Sequence, residues 1–390
     1  MQRIDNPFSP GAGRKPAALV GRDVQIEIWE SNLHRIENGL DFRPMVLYGL
    51  RGIGKTVLLS HLGEISTAHE WIVARFEANT GISLRELLSK ELENRLADVA
   101  KNGVSSKVLN ALKTALSFRT DVGLPGVFTF GIDLSSVSGS NANTGDLSGD
   151  LYRLITDLSA ATEETETGVA LLIDEAQDLS ADDLSALSEL VHRATQDNLR
   201  LSVALAGLPT LPGILSKSKS YAERLYEYKE LQPLSPSEAA DALTTPVAKT
   251  GVTWDDAALS KIVEISHGYP YFLQEYGSAC WLAAEKSPIT IHDTKLAINS
   301  ATAALDEGFF RSRWDKISES QRDYLRAMAV DNDGVSLSKD IAMRLDSELT
   351  ALSPRRAELI RKGLIYAPRT GELAFTVPLM GAYIQRQVEE

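Results

Sequence analysis

The sequence predicts an α/β protein: a parallel sheet flanked by helices, then an all-helical segment, then a small domain of helices and a β-hairpin. Three observations predict it. Apolar runs without alternation, at residues 45–48, 169–173 and 201–206, read as buried strands covered on both faces. Helical patterns separate those runs, and strands alternating with helices make a parallel sheet. From Ser235 onward the apolar runs stop and helical periodicity continues alone, until two short strand-like pieces surround Arg369-Thr370-Gly371.

The chain has 390 residues, 43% apolar and 24% charged, which is ordinary for a globular protein and enough for two or three domains. The single cysteine, Cys280, lies in an apolar run beside Trp281. It excludes an intrachain disulfide and reads as a small buried hydrophobe, not a nucleophile. No apolar run approaches a membrane span, and residues 1–15 lack the apolar core of a signal peptide. A soluble cytoplasmic protein without a membrane partner is expected. The net charge of −13 argues against nucleic acid wrapped over the whole surface. Residues 311–390 differ: 13 Lys and Arg stand against 12 Asp and Glu, which leaves −14 for the rest. If any part meets DNA, it is this one.

Taken in order, residues 1–18 are rich in Pro, Gly and Arg and read as an extended arm. Residues 24–36 carry Ile26, Trp29, Leu33 and Ile36 at helical spacing. After the first strand come a helix from Thr56, a second strand over 71–76 and a helix over 84–99. Residues 101–150 read as an insertion. It holds a helix over 107–116, a strand-like alternation over 127–134 and a Ser/Gly/Asn-rich flexible loop over 135–149. Helices over 151–160 and 184–194 flank the strand 169–173. Ser235-Pro236-Ser237-Glu238 is a helix-start signal, and helices follow over 238–249, 255–266, 270–285 and 293–305. The last helices are expected over 321–330, 338–345 and 354–363, ahead of strands at 364–366 and 373–377. The expected domains are therefore an arm (1–18), an α/β domain (19–234), a helical lid (235–310) and a C-terminal domain (311–390).

The most informative stretch follows the first strand. Gly49-Leu50-Arg51-Gly52-Ile53-Gly54-Lys55-Thr56 fits G-x-x-x-x-G-K-[ST] between a strand and a helix. Glycines at Gly49, Gly52 and Gly54 let backbone N–H groups converge on a phosphate. The N–H groups from Ile53 to Val57 lie at a helix N-terminus, which favours an anion. Lys55 reaches the terminal phosphates, and the Thr56 hydroxyl ligates Mg²⁺. The strand 169–173 ends in Asp174-Glu175. Asp174 stands where the acid of the Mg²⁺ shell belongs, and Glu175 where a base for the attacking water belongs. ATP and Mg²⁺ are the cofactors expected.

With these motifs in place, residues 19–390 resemble an AAA+ or STAND-type P-loop ATPase, most nearly the origin-recognition-like ATPases of bacteria and archaea. The resemblance implies a P-loop NTPase sheet, a helical lid and a C-terminal winged helix-turn-helix domain. It implies that Val20-Gly21-Arg22 lies against adenine and that Tyr269 and Pro270, in His267-Gly268-Tyr269-Pro270, contact the nucleotide from the lid. It also implies that Arg224, in Tyr221-Ala222-Glu223-Arg224-Leu225, serves as an arginine finger on a neighbouring subunit. Two departures stand out. The lid has no clear sensor-2 arginine, and the strand ending at Ala206-Gly207 lacks the polar sensor-1 residue, for which Thr210 is a weak substitute. Slow hydrolysis that resets a switch fits these departures better than motor-like turnover.

In the winged-helix pattern the recognition helix is expected over 354–363. It presents Arg355, Arg356, Arg361 and Lys362, with Arg369 at the wing tip. An ATP-dependent switch that regulates or loads on double-stranded DNA is one expectation. The other is a STAND-like signalling or defence protein, acting through protein contacts or as a homo-oligomer. One cysteine and scattered histidines offer no zinc spacing, and no G-x-S-x-G elbow occurs.

Overall fold

A computed structural model describes residues 1–40, 42–100, 106–118, 128–129, 132–133 and 142–388. The chain divides into two compact units. One comprises residues 23–48 and 55–230; the other comprises 1–22, 49–54 and 231–390.

The first unit contains α1 (Asp23–Glu37), β1 (Met45–Tyr48), α2 (Lys55–Ala68), β2 (Ile72–Glu77), α3 (Leu84–Ala100), α4 (Ser106–Ser117), β3 (Phe128–Thr129), β4 (Ile132–Asp133), α5 (Leu147–Thr162), β5 (Val169–Asp174), α6 (Ala181–Gln196), β6 (Leu201–Gly207), α7 (Leu211–Ser218), α8 (Ala222–Leu225) and β7 (Glu227–Glu230). Five strands form a wholly parallel sheet in the order β2-β5-β6-β1-β7. Every residue of β5 and β6 is buried, which is why these strands show no polar alternation in the sequence. The edge strand β7 is Glu-Tyr-Lys-Glu, half-buried, and carries no apolar run by which to recognise it.

In the insertion, the strand-like alternation at 127–134 is two short strands, not one. Phe128 pairs with Asp133 and Thr129 with Ile132, antiparallel. Residues 135–141 of the expected flexible loop lie outside the described residues. Its C-terminal end is fixed instead of flexible. Asp150 is fully buried, forms ion pairs with Arg85 and Arg153, and accepts the backbone N–H of Thr144. Residues 147–149 already belong to α5. Burial pushes the Asp150 carboxyl up, but these bonds outweigh it and hold it below the usual range.

The second unit begins with the arm, which is docked and not simply extended. Phe8 is 4% exposed and seats against Gly277, where an added Cβ would come within 2.6 Å of its ring. Asn6 donates to Ser278 Oγ at 2.9 Å, and Trp281 Nε1 donates to the Gln2 carbonyl at 2.9 Å. The helices are α9 (Pro236–Ala248), α10 (Asp256–Ser266), α11 (Pro270–Ala283) and α12 (Ile291–Leu305). The expected start of α9 is present, with Pro236 at its first turn and a Ser235–Glu238 capping box. A π-turn over 306–310 leads to α13 (Arg311–Trp314). Cys280 is fully buried, and burial pushes its thiol up to about 12, so it is an inert core residue.

The C-terminal part holds α14 (Glu319–Ala329), β8 (Ser336–Leu337), α15 (Ser338–Arg344), α16 (Leu349–Arg361), β9 (Ile365–Tyr366), β10 (Glu372–Phe375) and α17 (Met380–Val388). Strand order β8-β10-β9, all antiparallel, follows a helix–strand–helix–helix–hairpin sequence, the element order expected for this region. The expected recognition helix starts earlier than read: α16 opens at Leu349, and Pro354 lies inside it. As the sixth residue it lies past the orphan N–H groups of the helix start and forfeits its own bond to the Thr350 carbonyl, a cost the helix bears, so the proline does not mark the start.

Candidate nucleotide site

Tyr48 ends β1, and the next six residues form the turn. Gly52 has φ +79° and Gly54 φ +96°, conformations that favour glycine, so the motif's glycines are there for the backbone path. Within the unit that holds the turn, Arg22 secures it. Arg22 is 6% exposed and donates to the carbonyls of Gly21, Ile53 and Gln232 at 2.9, 3.0 and 3.0 Å. Its guanidinium is therefore committed to backbone oxygens. Val20 is half-buried and packs on the core of the same unit. From the lid, Tyr271 donates its backbone N–H to the Gly52 carbonyl at 3.2 Å. Pro270 opens α11, and its Cγ lies 4.0 Å from where a Cβ on Gly54 would stand. Tyr269 precedes it, half-buried, with its phenol pushed up to about 12 by burial. The Arg51 N–H donates to the carbonyl of Thr376, next to β10, at 2.9 Å.

In the other unit, α2 opens with Lys55, which is 6% exposed, and then Thr56 and Val57. Asp174, 7% exposed, closes β5 and shares a side-chain hydrogen bond with Thr56. Burial pushes the Asp174 carboxyl up. The Thr56 hydroxyl, the Glu175 N–H at 2.9 Å and the charge of Lys55 act against that without cancelling it. A buried acid, a hydroxyl and an ammonium group thus meet at the C-terminal ends of the parallel strands, where open α/β sheets bind ligands. Donors of this kind suit Mg²⁺, which takes oxygen ligands and keeps several waters.

Glu175 sits beyond the strand at φ +47° and accepts from Gln177 Nε2. Gln177 Oε1 in turn accepts the Leu208 N–H at 3.0 Å, joining the end of β5 to the residue after β6. Gln177 was not singled out in the sequence. Its only signal there is a polar side chain two residues beyond the acidic pair. It occupies the region where a sensor-1 residue was missing.

Arg224 is not brought to this cluster within one chain. It lies before β7, at the end of the sheet where the strands begin. There it lines an open cleft of about 470 Å³ with Asn32, Arg35, Arg43 and Glu227. Asp174 is at the opposite end of β5, three strands over, about 14 Å sideways alone.

The basic residues of the C-terminal domain are arranged differently. The Arg361 side chain is 76% exposed, with Glu358 at 3.9 Å. Arg369 is exposed beside the hairpin turn. Lys362 is tied inward, donating to Gln321 Oε1 at 3.0 Å and the Lys316 carbonyl at 3.3 Å. Arg355 lines a cleft of about 510 Å³ with Asp323, Arg326 and Arg344. Arg356 is half-buried, near Tyr324. Among the described residues no helix is long and apolar enough to cross a membrane.

Comparison with known proteins agrees with this geometry. The AAA ATPase domain family matches residues 18–203, and a domain of unknown function matches residues 307–384. No curated protein matches the chain. Among solved structures, the Walker-type ATPase PABY2304 of Pyrococcus abyssi aligns over 95% of this chain and 97% of its own, at 17% identity and TM-score 0.62. The Cdc6p protein of Pyrobaculum aerophilum covers 99% and 98% at 16% identity, with TM-score 0.46. The Orc1 protein of Aeropyrum pernix, solved with DNA, covers 96% and 94% at 15% identity, with TM-score 0.45. At those last two scores the likeness is loose, and only the first match bears on the fold. The motif, the strand order and the family match agree: residues 18–203 are an AAA ATPase domain, and the chain has the fold of a Walker-type ATPase.

Proposed function

We propose that the chain is a slow, Mg²⁺-dependent ATPase switch whose nucleotide state controls its C-terminal winged helix. The Thr56–Asp174 hydrogen bond beside buried Lys55 carries this reading, because it gathers the metal-side groups the chemistry needs. Gly49, Gly52, Ile53, Gly54 and Val57 supply backbone groups to the phosphates. Lys55 would neutralise developing charge, Thr56 and Asp174 would hold Mg²⁺, and Glu175 would take the proton of the attacking water. Val20, Gly21, Arg22, Tyr269 and Pro270 border the base. Arg224, far along the sheet in its own chain, would act on the nucleotide of a neighbouring copy, which makes a homo-oligomer the active form.

Control of the C-terminal domain rests on a chain of bonds. The Arg51 N–H holds the Thr376 carbonyl, and Thr376 Oγ1 donates to the carbonyl of Gly363, two residues beyond α16. Phosphate binding that reshapes the turn would alter this link and with it the display of α16. Such coupling requires ATP to favour one arrangement over the other. On this reading residues 1–18, 19–234, 235–310 and 311–390 are the functional segments. Arg355, Arg356, Arg361, Lys362 and Arg369 form the DNA-facing set.

A second reading, STAND-like signalling through protein contacts, is favoured by one observation. Arg326 pairs with Glu319 and Asp323, Arg344 pairs with Asp331, and Lys362 is tied inward, so much of the basic charge is already answered. Hydrogen exchange with and without ATP tests the switch, using Glu175→Gln to hold the bound state. We expect exchange at residues 363–377 to change on ATP binding. Unchanged exchange there in protein that demonstrably binds ATP would refute the coupling.

A further inference from the structure

The fold assembles a donor set whose spacing in the sequence conceals it. His34 and Glu37 are one turn apart at the end of α1, and His69 directly follows α2. His34 Nδ1 lies 3.0 Å from Glu37 Oε2, and His69 Nδ1 lies 3.3 Å from Glu37 Oε1. One ligand atom from each of the three lies within 4.8 Å of the other two, and the imidazole centroids are 5.0 Å apart. Trp71 Nε1 donates to Glu37 Oε1 at 2.9 Å and fixes the carboxylate. The backbone is fixed as well. Asn38 Nδ2 donates to the His34 carbonyl at 2.7 Å, and the Trp71 N–H returns to Ser66 O at 3.0 Å where α2 ends.

We propose that His34, Glu37 and His69 bind one divalent transition cation of the zinc class, which clamps the C-terminal ends of α1 and α2. Two imidazoles and a carboxylate suit Zn²⁺, Co²⁺, Ni²⁺ or Cu²⁺, with water completing the shell. In a tetrahedron with metal–ligand distances of about 2.0–2.2 Å, ligand atoms stand about 3.3–3.5 Å apart. Each imidazole already stands near that distance from one oxygen of Glu37, His34 from Oε2 and His69 from Oε1, so the carboxylate lies between the two rings. Closing the His34–His69 gap needs only side-chain rotation, and the His34 side chain is 63% exposed and free to turn. Each imidazole would carry its proton on Nε2 and present Nδ1 to the metal. The Trp71–Glu37 bond is the outer-shell support that metal-ligating groups ordinarily have. Mg²⁺ prefers oxygen ligands, so the site does not compete with Thr56 and Asp174.

The test uses the full chain, stripped with chelator and titrated with ZnCl₂ by calorimetry and with CoCl₂ by visible absorption. We expect one equivalent bound with a dissociation constant of about 10 µM or tighter. We also expect Co²⁺ bands of a four-coordinate site, and a melting temperature that rises with Zn²⁺. Because His34 is largely exposed, His34→Gln leaves the fold intact, which the metal-free melt verifies. Zn²⁺ affinity in that variant is expected to fall at least about 10-fold, and His69→Ala should do the same. His292→Ala, outside the cluster, should leave affinity unchanged. Binding weaker than about 100 µM, several weak equivalents, or affinity undiminished in His34→Gln would overturn the proposal and leave a hydrogen-bonded cluster only.

Discussion

Where α2 begins and β5 ends, Lys55 and Asp174 are charged-type residues held at 6% and 7% exposure. Along α16 Arg355 and Arg356 are half-buried and the Arg361 side chain is 76% exposed, while Lys362, just after the helix, is bonded to Gln321. Both regions look polar in the sequence. In the first, burial raises the carboxyl of Asp174, and the local hydrogen bonds do not fully offset it. In the second, carboxylates of the same domain answer much of the charge. An ion and a triphosphate would satisfy the first arrangement; nothing comparable is demanded by the second. The difference shows why a buried, unbalanced cluster specifies chemistry more firmly than an equally polar surface.

The largest effects should therefore come from the buried cluster. Lys55→Ala removes a charge-assisted contact to phosphate, worth about 1.5–3 kcal/mol, so ATP affinity should drop about 10- to 100-fold. Calorimetry measures it, with a melt to confirm folding, and unchanged affinity would remove the phosphate assignment. Asp174→Asn should end Mg²⁺-dependent hydrolysis while making the nucleotide-free protein more stable. The sign follows from the raised carboxyl. Above its folded-state pKa the buried anion destabilises the native state, and that cost disappears as pH falls and the acid is protonated. The amide removes the cost at neutral pH, so wild type should melt lower than Asp174→Asn at pH 7, with the gap closing toward acid pH. A wild type that melts higher at pH 7 would show that the carboxylate is stabilising there.

Gln177 tests how far the cluster extends. It touches Glu175 and the Leu208 N–H, and is a positioning residue. Gln177→Ala should lower kcat about 10-fold with KM nearly unmoved, since it orients the base without holding substrate. A rise in KM with kcat intact would place Gln177 in binding instead.

Much of the sheet and the phosphate turn was legible in the sequence because each residue there obeys a local rule. Strands β5 and β6 are continuous apolar runs, and Gly52 and Gly54 stand where φ is positive. Strand β7 was not legible, since an edge strand of Glu-Tyr-Lys-Glu has no apolar face to mark it. Residues 1–18 read as extended from their Pro and Gly, yet Phe8 docks in a notch that only Gly277 leaves open. Gln177 and the His34–Glu37–His69 cluster were missed for the same reason. One partner of each lies on another element, His69 after α2 and Leu208 after β6, so spacing along the chain encodes only part of either arrangement.

The smallest effects are expected on α16, and they decide between DNA and protein as its target. Arg361 is exposed and held by one long contact to Glu358, so Arg361→Ala should leave the melt within about 0.5 kcal/mol of wild type. If α16 meets phosphate, the same change should lower the slope of log affinity against log salt by about 1. Lys362 behaves in the opposite way. Its ammonium group holds Gln321, whose side chain caps α14 in a box with Ser318. Lys362→Ala should therefore cost stability, by about 0.5–1.5 kcal/mol, and change the salt slope less than Arg361→Ala does. Filter retention of duplex DNA across a salt series, alongside urea melts, separates the two substitutions. A salt slope unmoved by Arg361→Ala, with no DNA retained at low salt in wild type, would assign the C-terminal domain to protein contacts, the outcome its self-paired charges favour.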